Sequence, residues 1–108
     1  MRITPILLAL AGLLAALAAA DGAAAARFQG RSVDGRRYQA SVLNNDYGLI
    51  DAVEVRFQSE NAFVYLQGGG RLVLVLQDED IVDPHRILAD DPRRGMVWEI
   101  NVKDLRSR

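Results

Sequence analysis

From residue 27 onward, side-chain character alternates with a period of two, and no stretch of useful length carries a helical period. Successive side chains of a strand point to opposite faces, so this rhythm predicts a sheet covered on one face and wet on the other. Ala52 to Gln58 is the clearest case: Val53, Val55 and Phe57 face one way, Glu54, Arg56 and Gln58 the other. Arg37 to Asn44 places Tyr38, Ala40 and Val42 together, and Met96 to Val102 does the same with Met96, Trp98, Ile100 and Val102. Ala62 to Gln67 reads as an apolar strand. Arg71 to Gln77, apolar at five consecutive positions, predicts a central strand covered on both faces. A weaker first strand is expected over 27–33.

The punctuation fits a meander. Asp34-Gly35, Ser59-Glu60-Asn61 and Gly68-Gly69-Gly70 separate the strands, and glycines supply the positive φ angles that tight hairpins require. Residues 78–95 are the irregular stretch. Asp83-Pro84 resembles a helix start, with Asp as cap and Pro in the first turn. Val82 and Ile87 are spaced for a hydrophobic staple, so one short helical turn is expected near 84–88, then a turn over 90–95. The expected fold is all-β: a single small antiparallel barrel, or a strongly curved meander sheet, of five to six strands over 27–108.

The first 26 residues read differently. Met1-Arg2 precedes an uncharged run from Ile3 to Ala20, 18 residues of which seven are Ala. A basic start, an apolar centre and small residues at the end form an export signal, expected as a helix and cleaved after Ala20 or Ala26. As a membrane anchor the run is short and weakly apolar, and no Lys or Arg cluster follows it. Periplasmic or secreted localisation is the expectation, with membrane attachment only through an uncleaved leader. Residues 21–26, if retained, are expected to be disordered.

The domain left after cleavage is too small for a second core, and it lacks cysteine, so no disulfide or thiolate-bound zinc holds it. Packing must supply the stability. A formal net charge of −1 argues against nucleic acid as a partner. Basic residues gather early (Arg27, Arg31, Arg36, Arg37) and acidic ones late (78–91), which allows self-association head to tail or pairing of the two sets within one closed molecule.

No constellation amounts to a catalytic site. Asp78, Glu79, Asp80, Asp83, Asp90 and Asp91 are the acidic cluster, with Asp78, Asp80 and Asp83 the weak candidates for a cation. Their spacing misses the EF-hand: Val82, Asp83 and Ala89 stand where a ligand, a glycine and a glutamate belong. His85 is the single histidine, and Ser32, Ser41, Ser59 and Ser107 lie in no nucleophile-elbow pattern. The triple glycine is followed by Arg71 rather than by the Lys-Ser/Thr pair of a phosphate loop. Neither a metal nor a cofactor is expected. Tyr38, Phe57 and Trp98 read as core, whereas Tyr47, in the loop 44–48, and Tyr65 are the aromatics expected at the surface.

The binding residues expected are therefore Tyr47, Tyr65, Asp83, His85, Arg93 and Arg94. The function expected is a non-enzymatic binding or structural module, its partner an envelope protein or a polysaccharide. The alternatives are an envelope inhibitor or a glycan- or ligand-binding module that presents residues 78–95 and, last, a small hydrolase.

Overall fold

The computed structural model describes residues 25–105. The expected leader helix, the cleavage site after Ala20 and Ser107 lie outside the described residues, whereas the bond after Ala26 lies within them. The described chain forms β1 (Arg27–Phe28), β2 (Arg31–Ser32), β3 (Arg37–Asn44), β4 (Gly48–Gln58), β5 (Asn61–Tyr65), β6 (Arg71–Leu76), β7 (Asp80–Ile81), β8 (Ile87–Asp91) and β9 (Met96–Val102). It contains no helix.

Six strands close into an antiparallel barrel in the order β3-β4-β5-β6-β8-β9. The seam is β9 on β3, with Ala40 opposite Val102, Val42 opposite Ile100 and Leu43 opposite Glu99. The two-residue rhythm becomes an inward row on every strand: Val42, Val53, Val55, Phe57, Val64, Leu74, Ile100 and Val102 are fully buried. A barrel of eight strands is just wide enough for side chains to fill. With six, these residues make a solid core.

One end is capped by a small sheet, β2-β1-β7. β1 pairs parallel with β7, which sets Arg27 opposite Asp80, whereas Arg37 pairs with Glu54 on the barrel wall. Asp34 ties this cap to the barrel. Its Oδ1 accepts from Ala26 N–H at 3.1 Å and its Oδ2 from Ser59 N–H at 3.0 Å.

Six expectations need correction. The first strand is a hairpin, β1 and β2, turning on Gln29-Gly30, whose φ values are both positive (53° and 78°), as a type I′ turn requires. Residue 26, read as part of a disordered tail, is fully buried in the cap. Leu72–Leu76 is covered on one face only, since Val73 is 38% exposed on the outer wall. No helical turn spans 84–88. A turn over Asp83–Arg86, closed by Arg86 N–H to the Asp83 carbonyl at 3.0 Å, leads directly into β8. There Ile87, Ala89 and Asp91 point inward and fill the gap between β6 and β9. Val82, 87% exposed, staples nothing, and the turn that follows starts at Pro92 rather than Asp90.

Candidate functional site

An up-and-down barrel places alternate loops at the same end. Loops 45–47, 66–70 and 92–95 therefore share the end opposite the capping sheet. Gly68, Gly69 and Gly70 have φ values of 81°, 93° and 97°, which let the middle loop close on itself through Leu66 N–H to the Gly70 carbonyl at 3.1 Å.

The first loop is built on Asn44, a buried amide in the last position of β3. Its Oδ1 accepts from the N–H of Asp46 (2.8 Å) and of Tyr47 (3.1 Å), and its Nδ2 donates to the Val97 carbonyl at 3.0 Å. Asn side chains favour such local turns because they mimic the backbone. Here the same residue also fastens the loop to β9. The result presents Tyr47, 60% exposed, with its ring parallel to that of Trp98 (5° between planes, centroids 6.0 Å apart).

The third loop is built on Asp91, 2% exposed. Its side chain accepts from Arg93 N–H at 3.2 Å and from Arg94 Nη1 at 2.9 Å, and its carbonyl accepts from Gly95 N–H at 2.8 Å. Arg94 is thereby fixed at the rim with its head half exposed. Tyr47, Ile50, Leu72, Arg94 and Trp98 line one cleft of about 210 Å³. At ~30 Å³ per water, that is room for one ring or a short side chain. Trp98 forms its floor, and the indole Nε1 is buried with no hydrogen-bond partner among the described residues. Buried indole N–H groups ordinarily find an acceptor, and this one lacks any among the described residues. The lining contains no carboxylate, histidine or serine.

Of the expected site residues, Tyr47 and Arg94 converge on this open end. Arg93 sits exposed on the same turn. Tyr65 lies on the outer wall, where a hydrogen bond from Arg56 (3.3 Å), reinforced by the charges of Arg56 and Arg37, holds its hydroxyl below the ordinary tyrosine value. Asp83 and His85 are at the capped end, in turn chemistry. Asp83 Oδ1 accepts from His85 N–H at 2.9 Å, and the His85 ring meets Asn101 Oδ1 at 3.0 Å. Asp78 Oδ1 accepts from Asp80 N–H at 2.9 Å. Among the described residues no three acidic or histidine side chains gather as a metal site.

Ile50, Leu72 and Trp98 were not singled out as site residues from the sequence, because apolar side chains at inward positions read as core until the open end is known. No family model, curated protein or solved structure matches this chain.

Proposed function

We propose that the chain is an exported, non-enzymatic binding module of the periplasm or extracellular space, with the open end of the barrel as its ligand site. The observation that carries this reading is the convergence of Tyr47 and Arg94 over Trp98, whose buried N–H has no partner among the described residues. Two rings, two aliphatic side chains and one cation suit a single ring or short chain bearing an anionic oxygen. Such a fragment is the terminus of a peptide or one unit of a glycan, in line with an envelope protein or polysaccharide as partner. Of the 78–95 segment, only the last turn then serves recognition. The part with Asp83 and His85 belongs to the opposite end.

Export is supported by the leader. Processing after Ala20 is the better choice, since Ala26 is an integral part of the cap. Its N–H is held by Asp34, and its carbonyl accepts from Val33 N–H at 2.9 Å.

The chain has one tryptophan, so a single indole N–H resonance reports on the cleft. Titration with benzoate, glucuronate and glucose should move that resonance for at least one of the two carboxylates and leave it unmoved by glucose. Tyr47→Ala and Arg94→Gln should each abolish the response. A resonance indifferent to all three probes at millimolar concentration would remove the open end as a ligand site.

A further inference from the structure

The outer wall of the barrel carries a second surface, independent of the open end. Register places Arg37 opposite Arg56, Arg56 opposite Phe63 and Phe63 opposite Val73 in one row across β3, β4, β5 and β6. The adjacent row runs Gln39, Glu54, Tyr65, Arg71. The side chains interleave into a ladder. The Arg37 guanidinium lies 4.5 Å from the Tyr65 ring centre, Arg56 bonds the Tyr65 hydroxyl and lies 5.1 Å from the Phe63 ring centre, and Arg71 lies 5.2 Å from that same ring. Cations and rings thus alternate as Arg37, Tyr65, Arg56, Phe63, Arg71.

Two arginines directly opposite each other on neighbouring strands repel. Ion pairing on this wall is limited. Glu54 bonds Arg37 at 3.4 Å and also accepts from Gln39 at 3.3 Å, while among the described residues neither Arg56 nor Arg71 makes an ion pair. Three cations face one carboxylate here, although the chain as a whole is close to neutral. The hydrogen bond from Arg56, then the charges of Arg56 and Arg37, hold the Tyr65 hydroxyl below the ordinary tyrosine value. The arginine heads lie over the rings, Arg37 Nη1 is taken by Glu54 and Arg56 Nε by Tyr65, and the other N–H groups of each guanidinium can bond an oxyanion.

We propose that this wall binds an extended anionic polysaccharide, with Arg37, Arg56 and Arg71 taking its carboxylate or sulfate groups. Strands lie ~4.8 Å apart and rise ~3.4 Å per residue, so Arg37 and Arg71 are anchored ~14 Å apart across the curved wall and ~7 Å apart along it. That span suits a row of charges along a chain better than one small anion. Both rings are already covered by arginine, which leaves no open aromatic platform for a nucleobase and no ring to insert into a bilayer. Gln58 and Asn61, paired at the end of the same hairpin, add amides that can meet sugar hydroxyls. The choice of an extracellular polymer rests on the export reading above, whereas the anion chemistry does not.

The test is calorimetric titration of the purified protein at 50 mM salt with polygalacturonate, dextran sulfate, neutral dextran, a single-stranded oligonucleotide and phosphatidylglycerol vesicles. Binding to one of the two anionic polysaccharides, weakening steeply with salt and absent with neutral dextran, is expected. Arg56→Gln and Arg71→Gln should each weaken it about tenfold, Arg56→Lys should weaken it less, and Arg86→Gln, at the capped end, should leave it unchanged. Loss of binding in Tyr47→Ala alone would assign the polymer to the open end and overturn the proposal. So would tighter binding to the oligonucleotide or the vesicles, or binding to neither anionic polysaccharide. Arg56→Gln and Arg71→Gln proteins that melt lower yet bind as before would reduce the ladder to a structural device and also overturn it.

Discussion

Asn44 and Tyr65 carry the most specific consequences at the scale of single residues. Asn44 satisfies two backbone N–H groups and one carbonyl from a buried position. Each such bond contributes ~1 kcal/mol, and a group left unsatisfied costs ~1–3 kcal/mol. Asn44→Ala should therefore destabilise the domain by about 2–3 kcal/mol in urea unfolding, and it should release Tyr47 from Trp98, visible as a change in tryptophan emission. The tyrosines should separate on alkaline titration. Tyr65 should ionise first, because Arg56 bonds its hydroxyl and Arg56 and Arg37 add their charge, and Tyr38 late, because burial raises it against the opposing charge of Arg36. Ultraviolet titration of phenolate checks the order, and Arg56→Gln should shorten the lead of Tyr65. A raised folded value for Tyr38 means that its contribution to stability is complete below the ordinary tyrosine pKa and is lost as pH rises through the folded one.

Among the elements, β4 stores visible strain. The pairing of β3 with β4 slips between Ala40 and Val42, and Ala52 takes φ of 54° in that bulge. A left-handed conformation costs an L-residue ~1–2 kcal/mol, and Ala52 is exposed, so its methyl stabilises little in return. Ala52→Gly should stabilise the domain by about 0.5–1 kcal/mol after the entropy of a freer unfolded chain is deducted. For a domain of this size that is a rise of several degrees in Tm, and a fall would contradict the bulge geometry. The same elements show how far the sequence was legible. The alternation at Val53, Val55 and Phe57, and the triple glycine, displayed strand and turn directly. β8 was hidden because Asp83-Pro84 carries the chemistry of a helix start. Its inward Ile87, Ala89 and Asp91 mean little until neighbouring strands demand a filler. The open end was only half legible. Tyr47 and Arg94 stood out as polar loop residues, whereas the part played by Trp98, Ile50 and Leu72 depends on which loops share an end. The arginine–aromatic ladder is a matter of register. It follows once the two-residue turn at Ser59-Glu60 sets Arg56 against Phe63, a constraint invisible along any single strand.

For the whole molecule, closure is the decisive property. A closed barrel leaves no unpaired edge for the apolar β6 strand to offer another chain, and a six-strand interior is filled by its own side chains. A ligand can then be met only at the surface, and the two sites proposed are the open end and the arginine wall. The seam between β9 and β3 can be tested through alternate amides. Val102 N–H donates to the Pro84 carbonyl on the β8 side, and Lys103 N–H donates to the Gln39 carbonyl on the β3 side, so the odd-numbered amides of β9 face the seam. Amide hydrogen exchange along β9 is the most direct measurement. Closure predicts that Glu99 and Asn101 exchange as slowly as Trp98 and Ile100. Slow exchange at Trp98 and Ile100 with loop-like rates at Glu99 and Asn101 would mean an open sheet, and the barrel with its defined end would be wrong.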